Sequence, residues 1–556
     1  TSNEEDWTFV GVPQWKQDQE GVLYPPVWSY PNFDPDPTEV PNYYAHELAR
    51  EDYAFLASQP LEDTDISVDH KCPYGAVIHG GIVFRAVDSV RCYVLELVDM
   101  GRKAQAYELI LWVQDAGGYR REVTRGRAPH SVVPDRINQT GPTSRAEWYQ
   151  STPDWVTVRV QASGTYIRVS MDGRIVFEVR DRTYAVGCVG LVARGAVTFR
   201  NLRVEGLPGK LPEPWEQHEE EVPRFFYPGG EQPEGFNAFP VVCHTEEGVT
   251  LVAWSHAPKL TDPSAKMRVV LTRSEDEGRT WSRPEDLFSL DGHNCRCTSL
   301  FAHRDGSVSC LLGGQYVEPV CPTVVIRSSD NGRSWSDPEP FIIAGEPLSG
   351  YRGLYGRLFL YSPMVRMSDG TVVMCGYEER TAPGGTSGGN ADLLSRAMLL
   401  RSTDDGITWE EPIPIDARNS DHNECTVAET EPGRMVAFMR TARAPYMWIS
   451  ISEDCGVSWT SLVQSDISAE CPYLQRHRSG ALILVSRGYG TFFRLSFDGG
   501  HTWSRTDRIS PASAMIGMTE MADGRVLIVM HEGYRLPGNI RGQFFRITPD
   551  GPMAAD

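Results

Sequence analysis

The sequence predicts an all-β protein in two parts, an antiparallel β-sandwich followed by a β-propeller or a similar array of sheets. Three observations support this prediction. The pattern Ser-x-Asp-x-Gly-x-Thr/Ser-Trp occurs five times in the second part of the chain, each time after an apolar strand. Short alternating strands joined by Gly and Asp-Gly turns fill most of the first part. The composition, with 51 Gly, 39 Pro and 14 Trp in 556 residues, suits a protein rich in turns.

The repeated motif has the chemistry of a hairpin turn. Its Ser and Asp can bond nearby backbone groups, its Gly can take a positive φ, and its Trp can anchor the turn on apolar neighbours. One copy would be an ordinary turn, but five copies at repeat spacing indicate an array of similar sheets. The copies are SEDEGRTW at 274–281, SSDNGRSW at 328–335, STDDGITW at 402–409, SEDCGVSW at 452–459 and SFDGGHTW at 496–503.

The motif is the Asp-box, and the second part of the chain resembles the sialidase superfamily of six-bladed β-propellers. Six apolar hairpins, each with a Gly in its turn, agree with six blades. The resemblance implies that the Asp-boxes are structural and lie away from a central site. The first part looks like a laminin-G or concanavalin-like jelly roll, which implies either glycan binding or a spacer packed on the propeller. We therefore expect a jelly-roll sandwich at 1–206, a linker rich in Pro, Gly and charge at 207–235, and the propeller at 236–556.

Charge and cysteine content restrict the partners and the compartment. The formal net charge of −21 argues against nucleic acid and anionic membranes as partners. No run of about 18 apolar residues is present, so no transmembrane helix is expected. The 12 cysteines include no CxxC pair, so we expect buried free thiols rather than a disulfide framework, which favours a reducing, cytoplasmic compartment. No cofactor or metal is predicted, and the oligomeric state stays open.

Two carboxylates are the catalytic candidates, and each has a plainer alternative. By resemblance to sialidases, Glu424 is the acid partner of the nucleophile, and Asp262, in a loop before the first Asp-box, is the acid/base group. Cleavage of a glycoside usually requires such a pair of carboxylates. Glu424 could instead form a structural ion pair with Arg440, and Asp262 could belong to an Asp-Pro turn.

Arginines are candidates for gripping an acidic group, because a guanidinium presents a two-pronged donor to a carboxylate. The resemblance places Arg440 and Arg487 in the substrate-carboxylate clamp of sialidases, although Arg487 could equally be a surface arginine. The further candidates for substrate binding are Arg296, Arg352, Arg357, His256, His422 and Asn237.

The sequence departs from the sialidase pattern at two positions. Ala238 stands where the resemblance expects the first clamp arginine, and Met515 stands nearest the position of the nucleophilic tyrosine. We therefore expect a sialidase-like, exo-acting glycoside hydrolase with a non-standard site, which binds a carbohydrate substrate and cleaves a sugar other than ordinary sialic acid. Two alternatives stay open. One is a polysaccharide lyase on a uronate-containing glycan, with His256 or His422 among its acid and base groups, and the other is a non-catalytic glycan-binding propeller.

Overall fold

A computed structural model describes most of the chain, and every regular element in the described residues is a β-strand. The described residues are 7–10, 16–17, 23–24, 51–56, 59–71, 79–99, 106–129, 155–194, 197–218, 223–258, 266–313, 321–348, 357–381, 393–415, 422–441, 446–488, 490–512, 514–532 and 538–555. They contain no helix long and apolar enough to cross a membrane. All the cysteines among them are free and all but Cys455 are buried, which confirms the predicted free thiols for this part of the chain.

The strands divide between two compact units. One unit consists of residues 1–224 with 489–491 and 505–513, and the other of residues 225–488, 492–504 and 514–556. The boundary at 224/225 falls within the segment 207–235, which we expected to be a linker. The exact limits expected for the sandwich and the propeller stay predictions.

The first unit is a β-sandwich. Its strands are β1 (Trp7–Val10), β2 (Lys16–Gln17), β3 (Leu23–Tyr24), β4 (Asp52–Leu56), β5 (Leu61–Lys71), β6 (His79–Ala86), β7 (Cys92–Asp99), β8 (Ala106–Gln114), β9 (Arg120–Pro129), β10 (Val156–Ser163), β11 (Tyr166–Met171), β12 (Arg174–Arg180), β13 (Cys188–Arg194) and β14 (Thr198–Pro208). One sheet has the order β1-β4-β13-β6-β7-β8-β9, and the other has the order β12-β11-β10-β5-β14-β3-β2. Side chains of both sheets, among them Ile82 and Leu95 of one and Val160 and Ile167 of the other, form a single core. This core explains the period-two alternation of the strands, because successive side chains of a strand point to opposite faces.

All but one of the remaining strands build the second unit, where they form short antiparallel sheets in chain order. The remaining strands are β15 (Phe236–His244), β16 (Thr250–Ala257), β17 (Arg268–Ser274), β18 (Glu285–Phe288), β19 (Arg296–Ala302), β20 (Val308–Gly313), β21 (Val324–Ser328), β22 (Glu339–Pro340), β23 (Ile342–Ile343), β24 (Glu346–Pro347), β25 (Arg357–Leu360), β26 (Val365–Arg366), β27 (Val372–Thr381), β28 (Leu393–Ser402), β29 (Ile413–Pro414), β30 (His422–Glu431), β31 (Arg434–Thr441), β32 (Tyr446–Ser452), β33 (Val463–Ser468), β34 (Glu470–Arg476), β35 (Leu482–Arg487), β36 (Thr491–Ser496), β37 (Asp507–Ser510), β38 (Ile516–Glu520), β39 (Val526–His531), β40 (Ile540–Thr548) and β41 (Gly551–Ala555). The six blades are β15–β18, β19–β22, β25–β29, β30–β33, β34–β36 and β38–β41, whereas β37 belongs to the first unit.

Neighbouring blades are joined by polar contacts between their hairpin turns and Asp-boxes. In blade order these contacts are Arg333–Glu275 (2.6 Å), His303–Asp405 (3.3 Å), Ser368–Glu429 (2.7 Å), Arg434–Gly499 O (3.1 Å), Arg478–Ala522 O (2.7 Å) and Arg525–Glu277 O (3.3 Å). The last contact joins the sixth blade to the first, so the six sheets form a closed ring. The predicted fold class, a β-sandwich followed by a six-bladed β-propeller, is confirmed.

Each Asp-box is held by hydrogen bonds within the motif. In the first, Ser274 Oγ donates to Asp276 Oδ1 (2.9 Å) and accepts from the amide of Gly278 (2.9 Å), while Asp276 accepts from both the amide (2.8 Å) and the hydroxyl (2.6 Å) of Thr280. The glycine of every copy has a positive φ, as predicted; the values are 83°, 80°, 84°, 83° and 89° for Gly278, Gly332, Gly406, Gly456 and Gly500.

The fifth Asp-box generates a prediction about stability. Hydrogen bonds from the side chain and the backbone of Thr502 lower the pKa of Asp498 to about 2 in the folded protein. A lowered pKa of a carboxyl group stabilises the fold at pH values above its unfolded pKa, and this contribution disappears as the pH falls towards 2. We expect Asp498→Asn to lower the free energy of unfolding at pH 7 by ~0.5–1.5 kcal/mol for each bond lost, and by less at pH 3.

Urea unfolding at the two pH values measures this difference. Asp550→Asn serves as the control, because Asp550 is exposed and lies outside the Asp-boxes. A loss that is equally large at pH 3 and pH 7 would contradict the role given to the ionised Asp498.

Candidate functional site

β-Bulges interrupt the inner strands of several blades. The strand register shifts between Ala238 and Val241 in β15, and comparable shifts occur at 423–425 in β30 and 470–473 in β34. In the third blade the amides of Tyr361 and Ser362 both donate to one carbonyl, that of Cys375. A bulged residue leaves the hydrogen-bonded ladder and its side chain is turned to a new direction. The bulged residues are Phe239, Tyr361, Glu424 and Cys471, and three of them, Phe239, Glu424 and Cys471, have positive φ values of 57°, 38° and 48°.

The side chains of these bulged residues meet. Tyr361 and Cys471 belong to one buried cluster with Met515, and Phe239 packs against it. The Cys471 thiol donates to Glu424 Oε2 at 3.0 Å. Four blades therefore contribute to one place, which we call the bulge cluster: Phe239, Tyr361, Glu424 and Cys471.

Two arginines and a second carboxylate lie beside the bulge cluster. Arg440 Nη1 is 3.1 Å from Glu424 Oε2, and Arg440 Nη2 is 3.5 Å from Glu470 Oε1. Arg487 Nη2 is 3.8 Å from Glu470 Oε2. Both arginines come from the second strand of a blade, and each pairs in the β-ladder with the residue before a bulge, Asn423 for Arg440 and Glu470 for Arg487.

The surroundings of Glu424 keep it ionised. Burial alone would raise the pKa of this carboxyl, but Arg440, Arg487 and the Cys471 thiol outweigh burial and lower the pKa below its usual value. Burial raises the pKa of Cys471 to about 12, so its thiol keeps the proton that it donates to Glu424. Burial also raises the pKa of Tyr361, so that phenol is neutral as well.

Arg296 approaches the same place from the second blade. The guanidinium carbon of Arg296 lies 4.0 Å from the centre of the Phe239 ring, within the range of a cation–π contact. His531 of the sixth blade is fully buried, and its ring lies 6.4 Å from that of Phe239. Burial, with Arg487 and Arg296 nearby, lowers the pKa of His531 to about 3, so this imidazole is neutral.

The structure thus brings together Glu424, Arg440, Arg487 and Arg296 of the predicted site. The side-chain amide of Asn237 forms hydrogen bonds within the propeller. Its nitrogen donates to the carbonyls of Pro233 (2.8 Å) and Gly538 (2.9 Å). Its oxygen contacts Trp254 Nε1 (2.8 Å) and His256 Nδ1 (3.0 Å). Because Gly538 precedes the third strand of the sixth blade, this asparagine helps to join the last blade to the first.

The remaining candidates divide between packing positions and residues outside the described set. His256 is buried, and burial, with Arg268 nearby, lowers its pKa to about 4. His422 is buried with its ring edge-on to Trp448, 5.4 Å between centroids. Asp262 and Arg352 lie outside the described residues. Arg357 begins β25, but its side chain lies outside the described part of the chain.

Tyr361 and Cys471 were not among the residues predicted from the sequence. Both occupy bulges, which break the alternation used to assign strand faces. A proline close behind the bulge was the available signal, because proline inside a strand is largely confined to bulges and edges. It follows the bulge at Phe239-Pro240, Ser362-Pro363 and Cys471-Pro472. Among the described residues, no three His, Cys, Asp or Glu side chains come together as a set that could hold a metal ion.

A stretch of the chain that contains three of the Asp-boxes is similar to a known family of repeats. Residues 313–470 match the family model of the BNR repeat-like domain. A sialidase of Bacteroides fragilis (strain YCH46) is 24% identical over 277 residues, which cover 42% of this chain and 48% of that protein. The chain therefore spans about half the length of this curated relative.

Two solved structures are also similar. A protein of unknown function from Dyadobacter fermentans is 20% identical, with 58% of this chain and 98% of that chain covered at a TM-score of 0.48. The NanB sialidase of Streptococcus pneumoniae is 12% identical, with 87% and 95% covered at a TM-score of 0.45. The similarity is thus to a BNR repeat-like domain over residues 313–470 and to a sialidase over about two fifths of the chain.

Proposed function

We propose that the second unit is an exo-acting glycoside hydrolase with a non-standard, sialidase-like site at the bulge cluster. One observation carries the proposal: a buried, ionised carboxylate, Glu424, is held 3.1 Å from Arg440 where residues of several blades converge. Buried carboxylates with fixed partners are typical of functional sites, because their ionisation is set by the surroundings. The similarity to a Bacteroides fragilis sialidase supports the same class of reaction.

The ionised state of Glu424 assigns its part in the reaction. Hydrolysis of a glycoside needs one acid to protonate the leaving oxygen and one carboxylate to act on the opposite side of the sugar. Glu424 suits the second task, because Arg440, Arg487 and Cys471 stabilise its charged form. The acid is then a different group, and we propose Asp262.

The proposed reaction lacks a tyrosine nucleophile at the position of Met515. Met515 is 5% exposed and packs with Tyr361 and Cys471, and a thioether cannot attack the sugar in this way. The Tyr361 phenol is buried and keeps its proton, which suits packing against the site rather than attack. We therefore propose that Glu424 activates a water molecule directly, which inverts the configuration at the anomeric carbon.

The first test removes the charge of Glu424. We expect Glu424→Gln to lower kcat by about 10²–10⁴-fold, the usual contribution of a general base. A panel of neutral, uronic and sialic aryl glycosides is assayed for new reducing ends and for ultraviolet absorbance. Glu453→Gln is the matched control, since Glu453 is 68% exposed and pairs with Arg434 at the fourth Asp-box.

The outcomes of this assay separate the alternatives. Full activity in Glu424→Gln would remove Glu424 from the mechanism. An unsaturated, ultraviolet-absorbing product would identify a lyase, and glycan binding without any product would identify a lectin-like protein. Efficient cleavage of the sialoside by the wild type would restore the plain sialidase interpretation.

The second test concerns the pH dependence of the reaction. The Cys471 thiol donates to the charged form of Glu424, so Cys471→Ala raises the pKa of that carboxyl. A base acts only when it is deprotonated, and the acidic limb of kcat/KM therefore moves to higher pH in the variant. We expect this shift to be small, because a thiol is a weak donor.

Cys471→Ser keeps a hydrogen-bond donor at the same place and is expected to restore most of the wild-type profile. NMR titration of the Glu424 carboxyl carbon reports its pKa even without turnover. An unchanged acidic limb and an unchanged titration in Cys471→Ala would show that the thiol only fills space.

A further inference from the structure

We propose that Glu470 sets the charge of the sugar that this site accepts, because its carboxylate occupies the place between Arg440 and Arg487 that an acidic sugar would need. The site then accepts a sugar that is neutral at this position. The inference rests on the proposed function for its substrate class, but the contacts that carry it are independent of any assigned reaction.

The first support is the position of the Glu470 carboxylate. Each of its oxygens faces a different guanidinium, Oε1 towards Arg440 at 3.5 Å and Oε2 towards Arg487 at 3.8 Å. Two arginines arranged in this way bind the two oxygens of a carboxylate. Here that carboxylate is supplied by the chain itself.

The second support is the way in which the backbone fixes this arrangement. Glu470 is the first residue of β34 and pairs with Arg487 on β35, directly before the bulge at Cys471. The equivalent position of the fourth blade is Asn423, which pairs with Arg440 on β31. The two blades thus pair an arginine with a residue before a bulge in the same way, but this residue is a neutral amide in the fourth blade and a carboxylate in the fifth. The backbone arrangement alone therefore does not require an acidic residue at position 470.

The third support is the balance of charge. Glu424 and Glu470 together carry two negative charges, and Arg440 and Arg487 carry two positive charges, so these four groups sum to zero, while Arg296, over the Phe239 ring, adds one positive charge beside them. An incoming carboxylate would have to displace Glu470 from both arginines and would be repelled by it. No guanidinium can come from Ala238, the fully buried residue at the expected first clamp position.

The four side chains differ in their exposure to solvent. The side chain of Glu470 is 29% exposed, against 12% for Glu424, 14% for Arg440 and 17% for Arg487. Glu470 is therefore the member of the four that is most accessible to solvent. The distances from the Glu470 oxygens to Arg440 and Arg487, 3.5 and 3.8 Å, are those of loose ion pairs rather than short hydrogen bonds. The Glu470 carboxylate would therefore weaken the binding of an acidic sugar without blocking the position completely.

The experiment measures binding of free sugars to the full chain by calorimetry at low ionic strength. The acidic ligands are N-acetylneuraminic acid and glucuronic acid, and the neutral ones are N-acetylglucosamine and glucose. We expect Glu470→Gln to bind an acidic sugar about 10–100-fold more tightly than the wild type, the effect of freeing charge-assisted hydrogen bonds for the ligand. Neutral sugars and the control Glu453→Gln are expected to change less than about threefold, because Glu453 lies in an exposed Asp-box pair.

Each outcome is decisive. No gain of acidic-sugar binding in a folded Glu470→Gln protein would overturn the proposal. Tighter binding of acidic than of neutral sugars by the wild type would also overturn it, and this arm needs no variant to fold. Because binding is measured rather than turnover, an inactive protein that still shows the gain would remove the proposed hydrolase while leaving the role of Glu470 intact.

Discussion

The site of this propeller depends on the β-bulge near the start of the inner strands. In a regular strand, successive side chains point to the two faces of the sheet, where they pack against the neighbouring blades. A regular strand would therefore direct none of these side chains out of the packing between blades. A bulge leaves one residue unpaired in the ladder and changes the direction of its side chain. At Phe239, Glu424 and Cys471 the bulged residue also has a positive φ. Each such conformation costs of order 1–3 kcal/mol in a residue other than glycine, and the paired strand on both sides of the bulge holds it in place.

This arrangement creates an electrostatic problem that neighbouring blades solve together. Glu424 is buried at its bulge, and a buried carboxylate is tolerated only when it is paired and hydrogen-bonded. Arg440 comes from the same blade as Glu424, whereas Cys471, Glu470 and Arg487 come from the next one. Removal of one partner leaves the others buried and uncompensated, so the members of this set depend on one another in stability as well as in any reaction. The structure contains the ion pair that the sequence offered as one alternative for Glu424, and the proposed role of this carboxylate uses the same contact.

Features whose contacts lie within a short segment of the chain could be predicted from the sequence, and features that depend on bulges or distant contacts could not. The Asp-boxes were predictable because every bond of the turn lies within eight residues, from Ser274 to Trp281 in the first copy. Glu424 and Arg440 were candidates through the resemblance to sialidases, and the structure brings them together near facing ends of one hairpin. Tyr361 and Cys471 could not be predicted, since a bulge breaks the alternation from which strand faces are assigned. The contact of Asn237 with Gly538, 301 positions along the chain, could not be predicted either, because no local pattern reveals such a contact.

The contact between Asn237 and Gly538 also shows why the ring and the site form together. Phe239, Tyr361, Glu424 and Cys471 come from the first, third, fourth and fifth blades, so none of these blades alone brings the cluster together. Their meeting requires the ring to close, and closure is made by the last pair of blades through Arg525 and Asn237. In a ring of this kind the positions of inner-strand residues are fixed by contacts at the joint as well as by their own neighbours.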